Sequence, residues 1–163
     1  MTACWARFLP GTQHLQNIHP LVVHFPLALL PGAALFYMLA WLAGRESLAW
    51  TALWFLALGT ASAAVAAGTG LHAREGVMVD PTVREQLLDP HKSWMLTTLG
   101  LSAALTVWAL GGPPFPARGR SLFVLLLLVV LAVMAHGADY GGRLVYDYNA
   151  GGSACGQPIE FTR

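Results

Sequence analysis

The chain has 163 residues, 56% of them apolar and only 10% charged, with nine Lys and Arg against eight Asp and Glu for a formal charge of +1. Soluble domains carry about a quarter charged residues, so this composition excludes a soluble enzyme, and the near-neutral balance excludes nucleic-acid binding, which needs a basic excess. Disorder is excluded by the same apolar content, and a single membrane domain over residues 1–163 remains.

The first 20 residues hold no apolar core followed by a small-residue cleavage site, so insertion by the first span, without a cleaved signal peptide, is expected. Four apolar runs approach the roughly 20 residues needed to cross about 30 Å of hydrocarbon: Leu21 to Ala43, Trp50 to Leu71, Ser93 to Leu110 and Ser121 to Ala135. None alternates as a strand would, and a backbone inside lipid must satisfy its own hydrogen bonds, so all four are predicted helices. Between the second and third, Pro81 to Asp89 reads as a short amphipathic helix lying along the surface as a roof.

The expected fold is an all-α integral membrane four-helix up-and-down bundle with both termini on the same face. The short connectors, 44–47 and 111–120, carry Arg45, Arg118 and Arg120 against Glu46. Lysine and arginine in short loops set orientation, which makes that side cytoplasmic and the termini outer. Cys4 and Cys155 both fall on the outer face, either as a disulfide or as two free thiols. No C-x-x-C-H occurs, so the chain attaches no c-type haem of its own.

Six histidines occur, at 14, 19, 24, 72, 91 and 136. Those on the spans all converge on the outer end. His24 to His72 is 48 residues and His91 to His136 is 45, so each pair brackets a helical hairpin, a weak parallel repeat about an axis along the membrane normal. In a 1-2-3-4 bundle the diagonals are roughly 11 to 14 Å, a gap suited to a flat macrocycle between two imidazoles. Imidazole is the usual axial ligand of b-type haem, and ionisable groups within spans are functional candidates. The candidate ligands are therefore His24, His72, His91 and His136, paired as His24 with His91 or His72 with His136. His14 reads as a solvated loop residue, and His19, before Pro20, reads first as a helix cap or headgroup contact.

On the second span, Gly59, Ala61, Ser62, Ala63, Ala64, Ala66, Ala67, Gly68 and Gly70 leave little side-chain volume. Close helix packing through small residues is favoured over room for a porphyrin. Arg74, Lys92 and Arg143 are candidates for haem propionates or lipid phosphates, with Arg143 placed among the cofactor-binding residues. Trp41, Trp50 and Trp54 at one end, and Trp94, Tyr140, Tyr146 and Tyr148 at the other, fit interfacial belts.

The run His19-Pro20-Leu21-Val22-Val23-His24-Phe25-Pro26-Leu27-Ala28-Leu29 resembles the opening signature of an uncharacterised bacterial family of four-helix membrane proteins. The resemblance extends to the small-residue second span, the histidine opening the third, and the tail from His136 to Tyr146. It implies a companion of respiratory electron-transfer chains, in some members joined to c-type cytochrome modules, with haem b as cofactor. A c-type partner is here expected to be a separate subunit.

The combined expectation is a b-type cytochrome subunit of a bacterial inner membrane. It would hold one or two haems near the outer face and relay electrons between a membrane donor such as a quinol and a c-type cytochrome, without catalysis of its own. Two rivals stand beside it: a copper or zinc site built from the same histidines, and a cofactor-free structural or assembly subunit.

Overall fold

The computed structural model describes residues 17–76, 80–148 and 150, and among these every regular element is helical. Cys4, Cys155 and His14 lie outside the described residues. Four helices are long and apolar enough to cross a membrane: His19–Ala43, Glu46–Glu75, Pro81–Leu110 and Arg120–Tyr146. The first packs on the second, the second on the third, the third on the fourth and the fourth back on the first. Spans one and three are thus diagonal, as are two and four, and the antiparallel order puts the start of the first and the end of the fourth at one end of the bundle. The chain is a multi-pass membrane protein.

The first span begins as a single turn, His19–Val22, and continues as His24–Ala43. Hydrogen bonds from Val23 N to His19 O and from Leu27 N to Val23 O carry the helix across the junction. Pro31 lies inside it, as membrane helices tolerate. The helix stops at Gly44, whose φ of 63° is the left-handed conformation that glycine adopts without penalty.

The spans differ at their edges from the sequence expectation. The segment at 81–89 is not a separate roof: Asp80 accepts a hydrogen bond from the Thr82 amide, Pro81 opens a helix, and a π-helical turn at Arg84–Leu88 leads straight into Asp89–Leu110. Its apolar face is real, with Leu87 and Leu88 buried against Leu144 of the fourth span. That span runs to Tyr146, well past Ala135. Hydropathy falls along this tail because of His136, Asp139, Tyr140 and Arg143, and in the bundle its glycines allow close approach: a Cβ on Gly137 would lie 2.2 Å from Met95 Cε.

The main core occupies the half of the bundle away from the histidines, built from residues such as Leu30, Tyr37, Leu56, Leu105, Phe123, Leu127 and Val130. Gly59 belongs to it as a packing glycine, since a Cβ there would sit 2.9 Å from Leu30 Cδ2. The proline-rich connector is folded into this end. Pro114, Phe115 and Pro116 are buried, Phe115 stacks against Tyr37 at 5.2 Å, and the Arg120 guanidinium lies 5.3 Å over the Phe115 ring. Tyr37, fully buried, donates from its hydroxyl to the Pro114 carbonyl at 2.9 Å.

Tyr37→Phe deletes that donor and strands a buried carbonyl, a loss of about 1–3 kcal/mol. The expected outcome is a lower unfolding midpoint in detergent with helix content unchanged, read by circular dichroism; an unshifted midpoint would show that the connector does not anchor this end.

Candidate functional site

At the opposite end the first and third spans each open with a histidine. The His19 amide is held by Asn17 Oδ1 at 3.0 Å, which fixes the entry of the first span. His91 follows Pro90 in the opening turn of Asp89–Leu110. The two imidazoles meet across the bundle diagonal with ring centroids 6.5 Å apart and planes 76° to each other.

Each ring is fixed by a helix that is not its own. His19 Nδ1 lies 3.2 Å from Thr69 Oγ1 on the second span, and that hydroxyl donates its proton to the Ala66 carbonyl at 3.0 Å. With its proton committed, the Thr69 oxygen accepts, so His19 carries its hydrogen on Nδ1. His91 Nδ1 lies 2.8 Å from the Gly137 carbonyl on the fourth span. A carbonyl only accepts, so His91 is also protonated at Nδ1. The Ala66 backbone also hydrogen-bonds the His19 ring, and among the described residues no other protein group bonds either ring beyond these contacts. Both therefore keep a free lone pair, the arrangement of metal-ligating histidines, whose second nitrogen is tied to the protein.

Glycine makes the approach possible on both sides. A Cβ on Gly70 would lie 2.8 Å from His19 Cε1, and one on Gly141 would lie 2.8 Å from His91 Cε1. Such distances are closer than side chains tolerate, so any other residue would displace the ring. His19 and Gly70 stand 51 residues apart, and His91 and Gly141 stand 50 apart. The two hairpins thus repeat one device, a helix-opening histidine seated on a glycine of the returning helix.

The other sequence candidates are placed differently. His24, His72 and His136 are exposed on the outside of the bundle. His136 stands edge-to-face with Trp94 at 4.8 Å and with Tyr140 at 5.3 Å. Arg143 lies along its own helix with Nε 3.8 Å from Asp147 Oδ2, both side chains more than half exposed. Arg74 bonds Asp89 across the second and third spans, and Lys92 lies 3.8 Å from the same carboxylate. Of the second-span small residues, Ala63 and Ala66 are buried in packing, Gly70 seats His19, and Ala61, Ala64 and Gly68 are exposed.

Among the described residues, His91 is therefore the sequence candidate that the fold brings against another histidine, and its partner is His19. The available signal was the matched histidine-to-glycine spacing. It was masked by the similar spacing of His24 to His72 and of His91 to His136, and by Pro20, which made His19 look like a cap. Asn17, Thr69, Gly70, Gly137 and Gly141 carry roles that residue type alone does not reveal.

No curated protein and no solved structure matches the chain. A family described as a predicted membrane protein (DUF2231) matches residues 15–154, which take in all four spans and both histidines of the pair. The chain belongs to that family of membrane proteins, a domain of unknown function.

Proposed function

We propose that the chain is a membrane b-type cytochrome subunit whose haem is held between His19 and His91. The observation that carries this reading is the ring separation of 6.5 Å. Two imidazoles on one metal, with metal–nitrogen bonds of about 2.0 Å, have centroids roughly 6 Å apart when their axes align. The separation also exceeds those of the molecule's close imidazole contacts, 4.8 and 5.3 Å, so the pair is spaced rather than stacked.

The donor set favours haem over a bare ion. Among the described residues no group of three or more His, Cys, Asp or Glu comes together, whereas a zinc site needs three or four protein ligands. A porphyrin brings four nitrogens of its own and asks the protein only for the axial positions. When bound, such a group would supply one-electron transfer, and His19 and His91 are the residues that would hold it. This chain's residues would orient the two imidazoles through Thr69 and Gly137 and exclude a third ligand. The donor and acceptor are then a membrane reductant and a partner subunit, the c-type cytochrome being the class that the sequence resemblance implies. On this reading the histidine end is the outer face of a bacterial inner membrane, in line with the arginines of the opposite connectors.

The test is a dithionite-reduced minus oxidised spectrum with haem quantitation on protein purified in detergent. A Soret band with α and β bands is expected. His19→Ala and His91→Ala should each lower bound haem to background, and His24→Ala and His72→Ala should leave it. Colourless protein after expression with added haem precursor, or retention of haem in His19→Ala and His91→Ala alike, overturns the reading.

Gly70→Val and Gly141→Val probe the same site without touching a ligand. Each is expected to push its ring aside and reduce haem content while helical circular dichroism is retained. Full occupancy in both variants would mean that the rings are not positioned by these glycines.

A further inference from the structure

Each ring of the pair is held within its own hairpin. His19 of the first span is fixed by Thr69 and Gly70 of the second, and His91 of the third by Gly137 and Gly141 of the fourth. The distance between the rings is therefore a distance between hairpins, which neither ring's own hydrogen bond sets. It depends on how the second span lies against the third.

The buried side chains of those two spans toward the histidine end are small: Ala63 and Ala66 on one, Thr98 and Ser102 on the other. Small residues let helices approach closely, but they raise no ridges deep enough to fix a register. Farther in, Thr106 donates to the Ser102 carbonyl at 2.8 Å, so its 2.9 Å contact with Thr60 is a bond that Thr60 donates across the spans. That bond is remote from the rings, about 21 Å along the second span from Arg74.

Beside the histidines the tie between hairpins is ionic. Arg74 stands one helical turn beyond Gly70, and its Nη2 donates to Oδ1 of Asp89, which shares the opening turn of Asp89–Leu110 with His91. Asp89 is itself steadied: Lys92 Nζ lies 3.8 Å from the same oxygen, and the Ser93 hydroxyl donates to the Asp89 carbonyl at 2.9 Å. Ion pairs on an open surface contribute little. This one is partly sheltered, with side chains 33% and 39% exposed and Arg74 Nε out of reach of solvent, and its bond is charge-assisted. A slip of one residue between the spans would carry His91 about 1.5 Å along the axis, whereas metal–nitrogen bonds hold to within about 0.2 Å.

We propose that Arg74, acting through Asp89, is a positioning residue that sets the spacing of the His19 and His91 rings. The proposal deepens the haem reading and rests on it for what the rings hold; the spacing itself belongs to the protein alone.

The experiment uses the full chain in phosphatidylcholine nanodiscs, with Cys4→Ser and Cys155→Ser, and spin labels on Leu21→Cys and Ser93→Cys, exposed positions two residues beyond each histidine. Pulsed electron resonance on haem-free protein reads the distance between the labels. One narrow distribution is expected for this parent. Arg74→Gln and Asp89→Asn should each shift or broaden it by about 1.5 Å or more, the slip of one residue, with helical circular dichroism retained. Arg74→Lys keeps a charged donor and should keep the distribution narrow. The exchange of Arg74→Glu with Asp89→Arg again sets two cations, Lys92 being the second, against one carboxylate, and should restore it. Asp147→Asn breaks an ion pair at the same end but within one helix, and should change nothing. In haem-loaded protein the reduction potential and the low-spin signal of the oxidised iron should move in Arg74→Gln and return in the exchange.

Distances unmoved in Arg74→Gln and Asp89→Asn alike, or a broadened distribution that the exchange does not narrow, overturns the proposal. Label distances that respond in a protein without a haem band remove the cytochrome reading and leave the tie; a haem band with unmoved label distances does the reverse.

Discussion

Two imidazole rings, each locked at Nδ1 by a neighbouring helix and each seated on a glycine, set the terms for the histidine end of this bundle. Lipid does not press helices together as water does, so helices in a membrane associate through close packing and a few polar contacts. Two of the polar contacts here are made by the rings themselves. His19 ties the first span to the second through Thr69, and His91 ties the third to the fourth through Gly137. The site is thus part of what closes the two hairpins, and each ring's free nitrogen is a consequence of the hydrogen bond that holds it.

The two ends of the molecule divide the labour. The far end is filled by Tyr37, Phe115 and Phe123, rings 4.9 to 6.2 Å from one another, and capped by the proline-rich connector. Among the described residues the histidine end has the small cluster of Leu87, Leu88 and Leu144, supported by the π-helical turn and the Arg74–Asp89 pair between the second and third spans. A bundle anchored firmly at one end can keep glycines at the other, where side-chain volume would otherwise be needed for stability.

The four spans were legible because twenty-residue apolar runs admit one structure in lipid, and the clustering of histidines at one end followed from counting along them. Their pairing was not legible. Which of His19 and His24 faces inward depends on helix rotation, and an apolar run surrounded by lipid has no polar face to reveal it. The fourth span was drawn only to Ala135, where its apolar run ends, yet the helix continues to Tyr146 and Gly137 and Gly141 are needed where they stand. The buried connector was equally hidden: Pro114 and Phe115 look like loop residues until Tyr37 is seen to reach them.

The repeat between hairpins is close but unequal, and the inequality has chemical content. A backbone carbonyl at 2.8 Å is a stronger acceptor for an imidazole N–H than a hydroxyl at 3.2 Å that is already donating elsewhere. The two rings are therefore held unequally, His91 by the firmer bond and His19 by the weaker. The inequality lies along the diagonal from the third span to the first. The fourth span, which supplies the carbonyl to His91, also carries the exposed His136 one residue away.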